Sequence, residues 1–399
     1  MNKVVFANYK SWYLRRIVQI IARIVSSFIP VCKNRVFLCS YSGKQYSCCP
    51  KYIAEYLQKY YPGQFEIIFV SAGESFDKVK PEWLDSVRRN SLRYFYYLMS
   101  SKVLITNNSA SRLVPKKKEQ ILINTWHGGG PSKLCGKPMD TIETMHFAHK
   151  ERIYNANNTT AYVSSSDFFT ESFIRESYEF YGDVIASGLP RNDIFYWGKE
   201  IQQTIKEKVF NALGIDRNCH ILLYAPTMHD NTYLKHIASG NSTELEEKYS
   251  LDVEPLIQAA RERFGGEWKV AFRVHFGRRA EVKDTIDASA YPDMQELLLA
   301  ADILVTDYSS SMYDYSFTNR PCFLYAYDLK DFTDVRSFYW PIRTWGFPVC
   351  ETEASLIEAI RNFNEEDYKE KMKEYHNSQG TYEDGHSTEK VVDYIMSHL

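Results

Sequence analysis

The stretch Ile221-Leu222-Leu223-Tyr224-Ala225 begins a pattern of predicted strands in the second half of the 399-residue chain, and the first half already contains the same pattern. The earlier copy of the pattern begins at Arg35-Val36-Phe37-Leu38-Cys39. Short apolar runs of this kind are typical of strands buried on both faces of a parallel sheet. A strand pattern that starts twice predicts two domains, and the chain length agrees with that number.

Further strand-like runs follow each start, with helical stretches between most of them. They are Phe65 to Ser71, Val103 to Ile105, Ile121 to Ile123, Ala161 to Val163 and Val184 to Ala186 in the first half, and Lys269 to Val274, Asp302 to Thr306 and Cys322 to Tyr325 in the second. This alternation predicts an α/β fold with mainly parallel sheets. We place the boundary at residue 205, between domains 35–205 and 206–399. We expect a ligand cleft between them, lined by the carboxyl ends of strands.

The composition excludes several classes of protein. A hydrophobic fraction of 44% and a charged fraction of 25% are those of a globular protein, and a net charge of -2 gives no general attraction to nucleic acid. The eight cysteines have neither Cys-x-x-Cys nor Cys/His ligand spacing, so neither a metal site nor a disulfide framework is predicted. A reducing, cytoplasmic setting is expected.

Residues 1–34 form a basic segment, since the first acidic residue of the chain is Glu55. Between Trp12 and Val31, arginines interrupt the apolar residues, and the uninterrupted apolar runs are far shorter than the roughly 20 residues that span a bilayer. Two interpretations stay open. The segment is either a helix on an anionic membrane surface or a helix packed on its own domain with a solvated basic face.

A histidine and three glycines follow one of the predicted strands, in Thr125-Trp126-His127-Gly128-Gly129-Gly130. Glycines let backbone N–H groups approach an anion closely, so Gly128 and Gly129 are candidate substrate-binding residues. A histidine suits proton abstraction from an attacking hydroxyl, which makes His127 a candidate catalytic residue. The alternative is a hydrogen-bonded loop histidine beside a flexible turn.

Candidate substrate-binding residues and a second candidate catalytic residue, His275, follow other strands. The substrate-binding residues are Arg191 and Asp193 after Val184 to Ala186, Thr227 and His229 after Ile221 to Ala225, Arg273 at the end of the Lys269 strand, where His275 also lies, and Asp307, Ser309 and Ser310 after Asp302 to Thr306. Arginine is a bidentate phosphate donor, and hydroxyls at a helix start form an anion site. Turn formation and helix capping are the alternatives for these segments.

Taken together and in order, the motifs resemble the CDP-glycerol glycerophosphotransferase family of teichoic acid primases and polymerases. The resemblance runs from about residue 35 to 380. The matching stretches are Ser42 to Tyr46, Thr125 to Gly128, Gly188 to Asp193, Tyr224 to Thr227, Arg273 to His275, Thr306 to Ser310, Asn319 to Pro321 and Tyr325 to Asp328.

The resemblance implies a GT-B-like architecture of two Rossmann-type domains, the second binding a CDP-linked donor and the first facing membrane and acceptor. An acceptor hydroxyl attacks the phosphorus nearest the polyol and CMP leaves. It implies His127 as general base, with His275 and Arg273 stabilising phosphoryl charge and Ser309 and Ser310 cradling the diphosphate. No metal and no cofactor beyond the donor are expected.

Departures from the family pattern leave the substrates open. The triple glycine favours a capsule- or lipopolysaccharide-linked branch of the family. His229 stands where an arginine is common, which leaves open whether the donor is CDP-glycerol or CDP-ribitol. The acceptor implied is a lipid-linked saccharide or surface polymer, used at the cytoplasmic face of the membrane by a peripheral enzyme of unassigned oligomeric state. The alternatives are a nucleotide-sugar glycosyltransferase of the same architecture and a non-catalytic scaffold of capsule assembly.

Overall fold

The computed structural model describes residues 3–109, 111–140, 145–227, 251–274 and 282–399. These residues belong to two compact units. The first unit comprises Met1–His127, Cys135–Asp193 and Thr381–Leu399, and the second comprises Gly128–Leu134 and Ile194–Gly380.

The first unit is built on a parallel sheet, which has seven strands among the described residues, in the order β3-β2-β1-β4-β5-β6-β7. The strands are β1 (Cys32–Cys39), β2 (Glu66–Ser71), β3 (Asp85–Arg88), β4 (Ser101–Thr106), β5 (Ile121–Asn124), β6 (Ala161–Ser164) and β7 (Asp183–Ala186). The helices are α1 (Lys3–Ser27), α2 (Cys48–Tyr60), α3 (Glu74–Asp77), α4 (Leu92–Ser100) and α5 (Met145–Asn158), with a π-helix at Phe169–Ser177.

The second unit repeats this plan. Its described strands form a six-stranded parallel sheet in the order β10-β9-β8-β11-β12-β13. They are β8 (Cys219–Tyr224), β9 (Glu267–Phe272), β10 (Ile286–Asp287), β11 (Ile303–Thr306), β12 (Cys322–Tyr325) and β13 (Val349–Cys350). The helices are α6 (Lys199–Leu213), α7 (Val253–Phe264), α8 (Met294–Ala300), α9 (Ser311–Ser316), α10 (Leu329–Val335), α11 (Glu353–Arg361) and α12 (Glu365–Gln379).

Both sheets reverse their direction of growth beside their first strand. In the first unit β1 lies between β2 and β4, and in the second β8 lies between β9 and β11. All of these pairs are parallel. This is the Rossmann arrangement, in which ligands bind at the carboxyl ends of the strands where the order reverses. The prediction of an α/β chain with two domains on parallel sheets is therefore confirmed.

The division of the chain differs from the predicted boundary at residue 205. All of α6 belongs to the second unit, and the last helix, α13 (Ser387–Met396), returns to the first. There α13 packs on α2, and Asp193 binds its first turn. A carboxyl-terminal helix packs on the unit that buries its apolar face. The sequence around residue 205 contains no information about that packing.

Helix α1 carries its polar stripe inward and its apolar side chains outward. The positions that are buried or half-buried from Trp12 onward are Trp12, Arg15, Gln19, Ala22 and Ser26, and every other residue from Tyr13 to Ser27 is exposed. The exposed residues include Leu14, Ile17, Ile20, Ile21 and Ile24, each more than half accessible. Among the described helices, none is both long enough and apolar enough to cross a membrane.

Candidate active site

A strained turn after β5 presents His127. Trp126 has a φ of 49°, in the left-handed region that a bulky side chain rarely adopts. Its backbone N–H donates to Oδ1 of Asn124 at 2.9 Å, and its ring stacks on the His127 ring at a centroid distance of 4.4 Å. The turn and the stacking together fix the orientation of the imidazole.

The hydrogen bond of His127 decides which ring nitrogen can act as a base. Nδ1 lies 2.8 Å from the carbonyl oxygen of Asn107, the first residue after β4. A carbonyl oxygen only accepts, so Nδ1 carries the proton and Nε2 holds the lone pair of the neutral ring. This arrangement suits proton abstraction by Nε2.

Asn107 also joins the two loops at the point where the first sheet reverses. Its side chain is fully buried, Oδ1 accepts the N–H of Tyr41 at 2.8 Å, and Nδ2 donates to Ser40 Oγ at 3.3 Å. The ring of Tyr41 lies 5.7 Å from that of His127. The loops after β1 and β4 are thereby held together around the imidazole. The motifs did not identify Asn107 or Tyr41.

A buried thiol and guanidinium lie beside this turn. Arg191 is 2% exposed, and its Nη1 donates to Sγ of Cys48 at 3.4 Å. Burial by itself would raise the pKa of the Cys48 thiol, but a hydrogen bond from Cys49 and the positive charge of Arg191 outweigh it and hold the pKa well below its ordinary value. Arg191, predicted to bind phosphate, directs Nη1 at this sulfur.

Asp193, predicted to bind substrate, caps a helix. Its two carboxylate oxygens accept the backbone N–H groups of Ser387 and Thr388, at 2.9 and 2.8 Å. The carboxylate is buried, and burial raises its pKa despite these hydrogen bonds. The need to satisfy the N–H groups at the start of α13 explains why a carboxylate is buried at this position.

The glycines after His127 belong to the second unit, where Gly128 is half-buried and Gly129 and Gly130 are buried. Gly130 has a φ of 66°, and a Cβ placed there would lie 2.4 Å from Cδ2 of Tyr313 on α9. The third glycine is therefore required by packing. Gly128 and Gly129 have negative or extended φ values, so their predicted role in anion binding remains a prediction.

In the second unit, Asp307 joins the strand ends where the sheet reverses. Its Oδ1 and Oδ2 lie 2.9 and 2.7 Å from the backbone nitrogen of Thr227, which donates to them. Arg273 follows the neighbouring β9, and its N–H donates to the carbonyl of Tyr224. Ser309 accepts the N–H of Ser311 at 3.3 Å, at the start of α9. The predicted residues Thr227, Arg273, Asp307, Ser309 and Ser310 thus share one edge of one sheet.

The predictions for His229 and His275 lie outside the described residues. No group of three or more potential metal ligands occurs within the described ranges, and the expectation of a metal-independent reaction stays a prediction.

Comparison with known proteins identifies the class of this protein. The profile of the CDP-glycerol:poly(glycerophosphate) glycerophosphotransferase family matches residues 21–397. The chain belongs to that family, as the resemblance of its motifs predicted.

Individual relatives and solved structures of the same family are similar to this chain. The teichoic acid poly(glycerol phosphate) polymerase of Bacillus subtilis (strain 168) is 28% identical over 410 residues, covering 99% of this chain and 52% of the relative. The same-named protein of Bacillus spizizenii is 28% identical over 416 residues, covering 99% of this chain and 100% of the relative. The chain therefore spans about half of the first relative and all of the second. A variant of the wall teichoic acid polymerase TagF matches with a TM-score of 0.79 and 25% identity, covering 100% of this chain and 98% of that one. This likeness confirms the GT-B-like fold class.

Proposed function

We propose that this protein transfers a polyol phosphate from a CDP-linked donor, CDP-glycerol in the first place, to a hydroxyl of a surface-polymer or lipid-linked saccharide acceptor, releasing CMP. The observation that carries the proposal is the bond from His127 to the Asn107 carbonyl, because it places the proton of the neutral ring on Nδ1 and the lone pair on Nε2. Family membership supports the same reaction class.

In the proposed reaction, Nε2 of His127 takes the proton of the acceptor hydroxyl as its oxygen attacks the phosphorus nearest the polyol. A phosphorus–oxygen bond forms, and the bond to CMP breaks, with its electron pair leaving on CMP. Arg273 and the hydroxyls of Ser309 and Ser310 stabilise the phosphates of the donor, and His275 joins them. Such preorganised donors are worth several kcal/mol, about 3 for a single one.

The first experiment measures CMP release by the purified protein with CDP-glycerol, CDP-ribitol, UDP-glucose or UDP-GlcNAc, using a membrane glycolipid extract as acceptor. Release of CMP from one CDP-polyol, dependent on the extract, is expected and names the polyol. Release of UDP would assign the protein to the nucleotide-sugar glycosyltransferases instead.

The His127→Ala variant tests the base. We expect a loss of roughly 10²- to 10⁴-fold in transfer with an unchanged unfolding transition. His149→Ala is the matched control, since His149 is an exposed histidine of the same unit. Full turnover by a folded His127→Ala variant would refute the assignment.

We further propose that α1 lies on an anionic membrane at the cytoplasmic face. Its exposed apolar face has no cover among the described residues, and Arg16 and Arg23 are exposed on the same helix, where they meet lipid phosphates. All eight cysteines are free, in keeping with a reducing compartment.

Sedimentation with vesicles tests this membrane proposal. Binding to phosphatidylglycerol vesicles is expected, with weaker binding to phosphatidylcholine and loss in an Ile17→Ser/Ile21→Ser variant. The matched control is Leu92→Ser, which removes an exposed leucine on α4. A wild-type protein that binds no vesicles but forms a dimer, which the double variant does not form, would show that a second copy of the chain covers this face.

A further inference from the structure

The indole of Trp126 contacts the candidate base and two further aromatic rings. It stacks on the His127 imidazole at a centroid distance of 4.4 Å and an interplanar angle of 28°. The ring of Tyr178 meets the indole at 5.0 Å and 61°, and that of Phe173 meets it at 5.1 Å and 55°. Inclined contacts of this kind are favourable between aromatic rings. Trp126 therefore links Tyr178 and Phe173 to the imidazole.

The π-helix at Phe169–Ser177 places both rings beside Trp126. The backbone N–H of Tyr178 donates to the carbonyl of Phe173, five residues earlier, at 3.0 Å. In an α-helix, neighbours on one face are three or four positions apart, so Ser177 and not Tyr178 would follow Phe173 on that face. The wider turn instead brings the Tyr178 ring to 4.7 Å from the Phe173 ring. Turns of this kind are rare and occur frequently at functional sites.

Tyr178 is held from both directions along the chain. Before it, Phe173 is 4% exposed and its ring stacks on that of Phe169 at 4.3 Å. After it, Glu179 turns the backbone with a φ of 53°, and its carboxylate accepts Nε–H of the buried Arg152 at 2.8 Å. A charge-assisted hydrogen bond to a buried guanidinium has a well-defined geometry. The phenol ring therefore presents a preorganised surface to Trp126.

Trp126 needs such support, because its backbone is strained. Its φ of 49° lies in the left-handed region, and a bulky residue stays there only where the surrounding contacts over-determine it. Asn124 restrains the backbone of the turn by accepting the N–H of Trp126. The rings of Phe173 and Tyr178 restrain its indole.

The position of the indole sets the plane of the His127 ring. The hydrogen bond from Nδ1 to the Asn107 carbonyl fixes one atom of the imidazole, but the ring could still rotate about that bond. Stacking on a restrained indole prevents this rotation, so Nε2 points in one direction. A general base depends on that direction, because a small misplacement of a reacting atom lowers the rate strongly.

We propose that Tyr178 is a positioning residue for His127 and acts through the indole of Trp126. The phenol ring carries this role, since the contact with Trp126 is one between rings. The effect on catalysis rests on the proposed transferase function, whereas the orientation of the imidazole does not.

Tyr178→Leu tests this role, because it keeps apolar bulk at a half-buried position and removes the flat ring. We expect kcat for CMP release from the CDP-linked donor to fall about tenfold, with a change of less than about twofold in the KM for the donor. Tyr178→Phe restores the ring and should recover most of the activity. The matched control is Tyr61→Leu, at a half-buried tyrosine of the same unit that contacts Phe65, and it should leave kcat unchanged.

Nitrogen-15 NMR of histidine-labelled protein measures the imidazole itself and needs no turnover. At about pH 8 an ordinary imidazole is mostly neutral, and long-range correlations show which ring nitrogen carries the proton. Wild type, Tyr178→Phe and Tyr61→Leu should show the Nδ1–H form at His127, whose signal is assigned by its absence from His127→Gln. Tyr178→Leu should show a mixture of both tautomers, because the released ring leaves the Asn107 carbonyl.

A pure Nδ1–H form in folded Tyr178→Leu, together with wild-type kcat, would overturn the proposal. Equal losses of activity in Tyr178→Leu and Tyr178→Phe would also overturn it, since the hydroxyl would then be the group that matters. If Tyr178→Leu does not fold, Tyr178→Met gives the same test with an unbranched side chain that adapts to the site. A protein that releases CMP from no donor would refute the transferase function, and the tautomer of His127 in Tyr178→Leu would then decide the positioning role by itself.

Discussion

The carboxylate of Asp307 accepts the backbone N–H of Thr227 through both oxygens, at 2.9 and 2.7 Å. The two residues follow strands β11 and β8, which lie side by side where the second sheet reverses. The same carboxylate accepts the N–H of Tyr308. A buried side chain thereby fixes the two loops that carry the candidate donor-binding hydroxyls.

Asp307→Asn replaces one of these oxygens by an NH₂ group, which faces the N–H of Thr227. We expect the free energy of unfolding to fall by about 1–3 kcal/mol, the cost of an unsatisfied buried polar group. The KM for the CDP-linked donor should rise more than kcat falls. Denaturant unfolding and donor titration measure these effects against Asp334→Asn, an exposed aspartate of the same unit. An unchanged KM in Asp307→Asn would count against a donor site at this edge.

The contact between Cys48 and Arg191 predicts that a negative charge at position 48 stabilises the folded protein. Cys48→Ser removes a negative charge from beside the buried guanidinium, so the free energy of unfolding should fall by about 3 kcal/mol at pH 9. Cys48→Asp restores a negative charge and should recover most of that loss. Cys32→Ser, at the first residue of β1, is the control.

The same pair has a defined pH dependence. Because the pKa of folded Cys48 is lowered, its ionisation stabilises the protein fully above the unfolded thiol pKa of about 8.5, and this contribution is lost as the pH falls through the folded pKa. The stability difference between wild type and Cys48→Ser should therefore shrink toward acid pH. A difference independent of pH would show that Cys48 is a neutral thiol.

Substitutions of Gly130 and Gly214 by alanine distinguish the cost of overpacking from the cost of backbone strain. Both have a φ of 66°, but a Cβ at Gly130 meets Tyr313 at 2.4 Å whereas one at Gly214 meets nothing within 4 Å. Gly214→Ala should cost about 1 kcal/mol of unfolding free energy, from the left-handed backbone alone. Gly130→Ala adds overpacking and should cost about 3 kcal/mol. Equal losses in urea unfolding would mean that the loop around Gly130 yields to the added methyl group.

The buried His376, on α12, should make the free energy of unfolding fall at acid pH. Burial lowers its pKa to about 4, from an ordinary value of 6.5. Between these values the unfolded chain binds more protons, so the stabilisation is complete above pH 6.5 and is lost as the pH falls toward 4. Allowing for its partial exposure, we expect a decrease of about 1–2 kcal/mol.

Urea unfolding at pH 4.5 and 7 measures the contribution of His376. His376→Gln should remove that part of the pH dependence, whereas His386→Gln, at a side chain 67% exposed, should leave it in place. Identical pH profiles for wild type and His376→Gln would exclude this histidine as the source.

The strands that the sequence pattern missed are β3, β10 and β13. They are Asp85–Arg88, Ile286–Asp287 and Val349–Cys350, and each is an edge strand of its sheet. An edge strand has one paired neighbour and an exposed side, so it needs no continuous apolar run. The inner strands β5, β6, β11 and β12 were predicted because all of their residues are buried, which gives them continuous apolar runs.

At the candidate site, the sequence predicted His127, Arg273 and Asp307 from their positions after strands. It missed Asn107, Tyr41 and Cys48, although Asn107 lies only two residues after the predicted strand 103–105. Their contacts with His127 and Arg191 depend on β1, β4 and β5 being neighbours, and on the return of the chain at Arg191. Only the order of the strands in the sheet contains that information.

The two α/β units, the strand ends that carry polar residues, and the family could all be predicted from the sequence. Local apolar runs and fixed motifs suffice for these, because strand burial and turn chemistry act over a few neighbouring residues. Three further features appear only in the tertiary structure: Asp193 caps α13, Arg191 faces the sulfur of Cys48, and α1 turns its apolar face outward. Each of these depends on a partner distant along the chain, and the free energy of burying a charge or exposing a leucine is set by that partner.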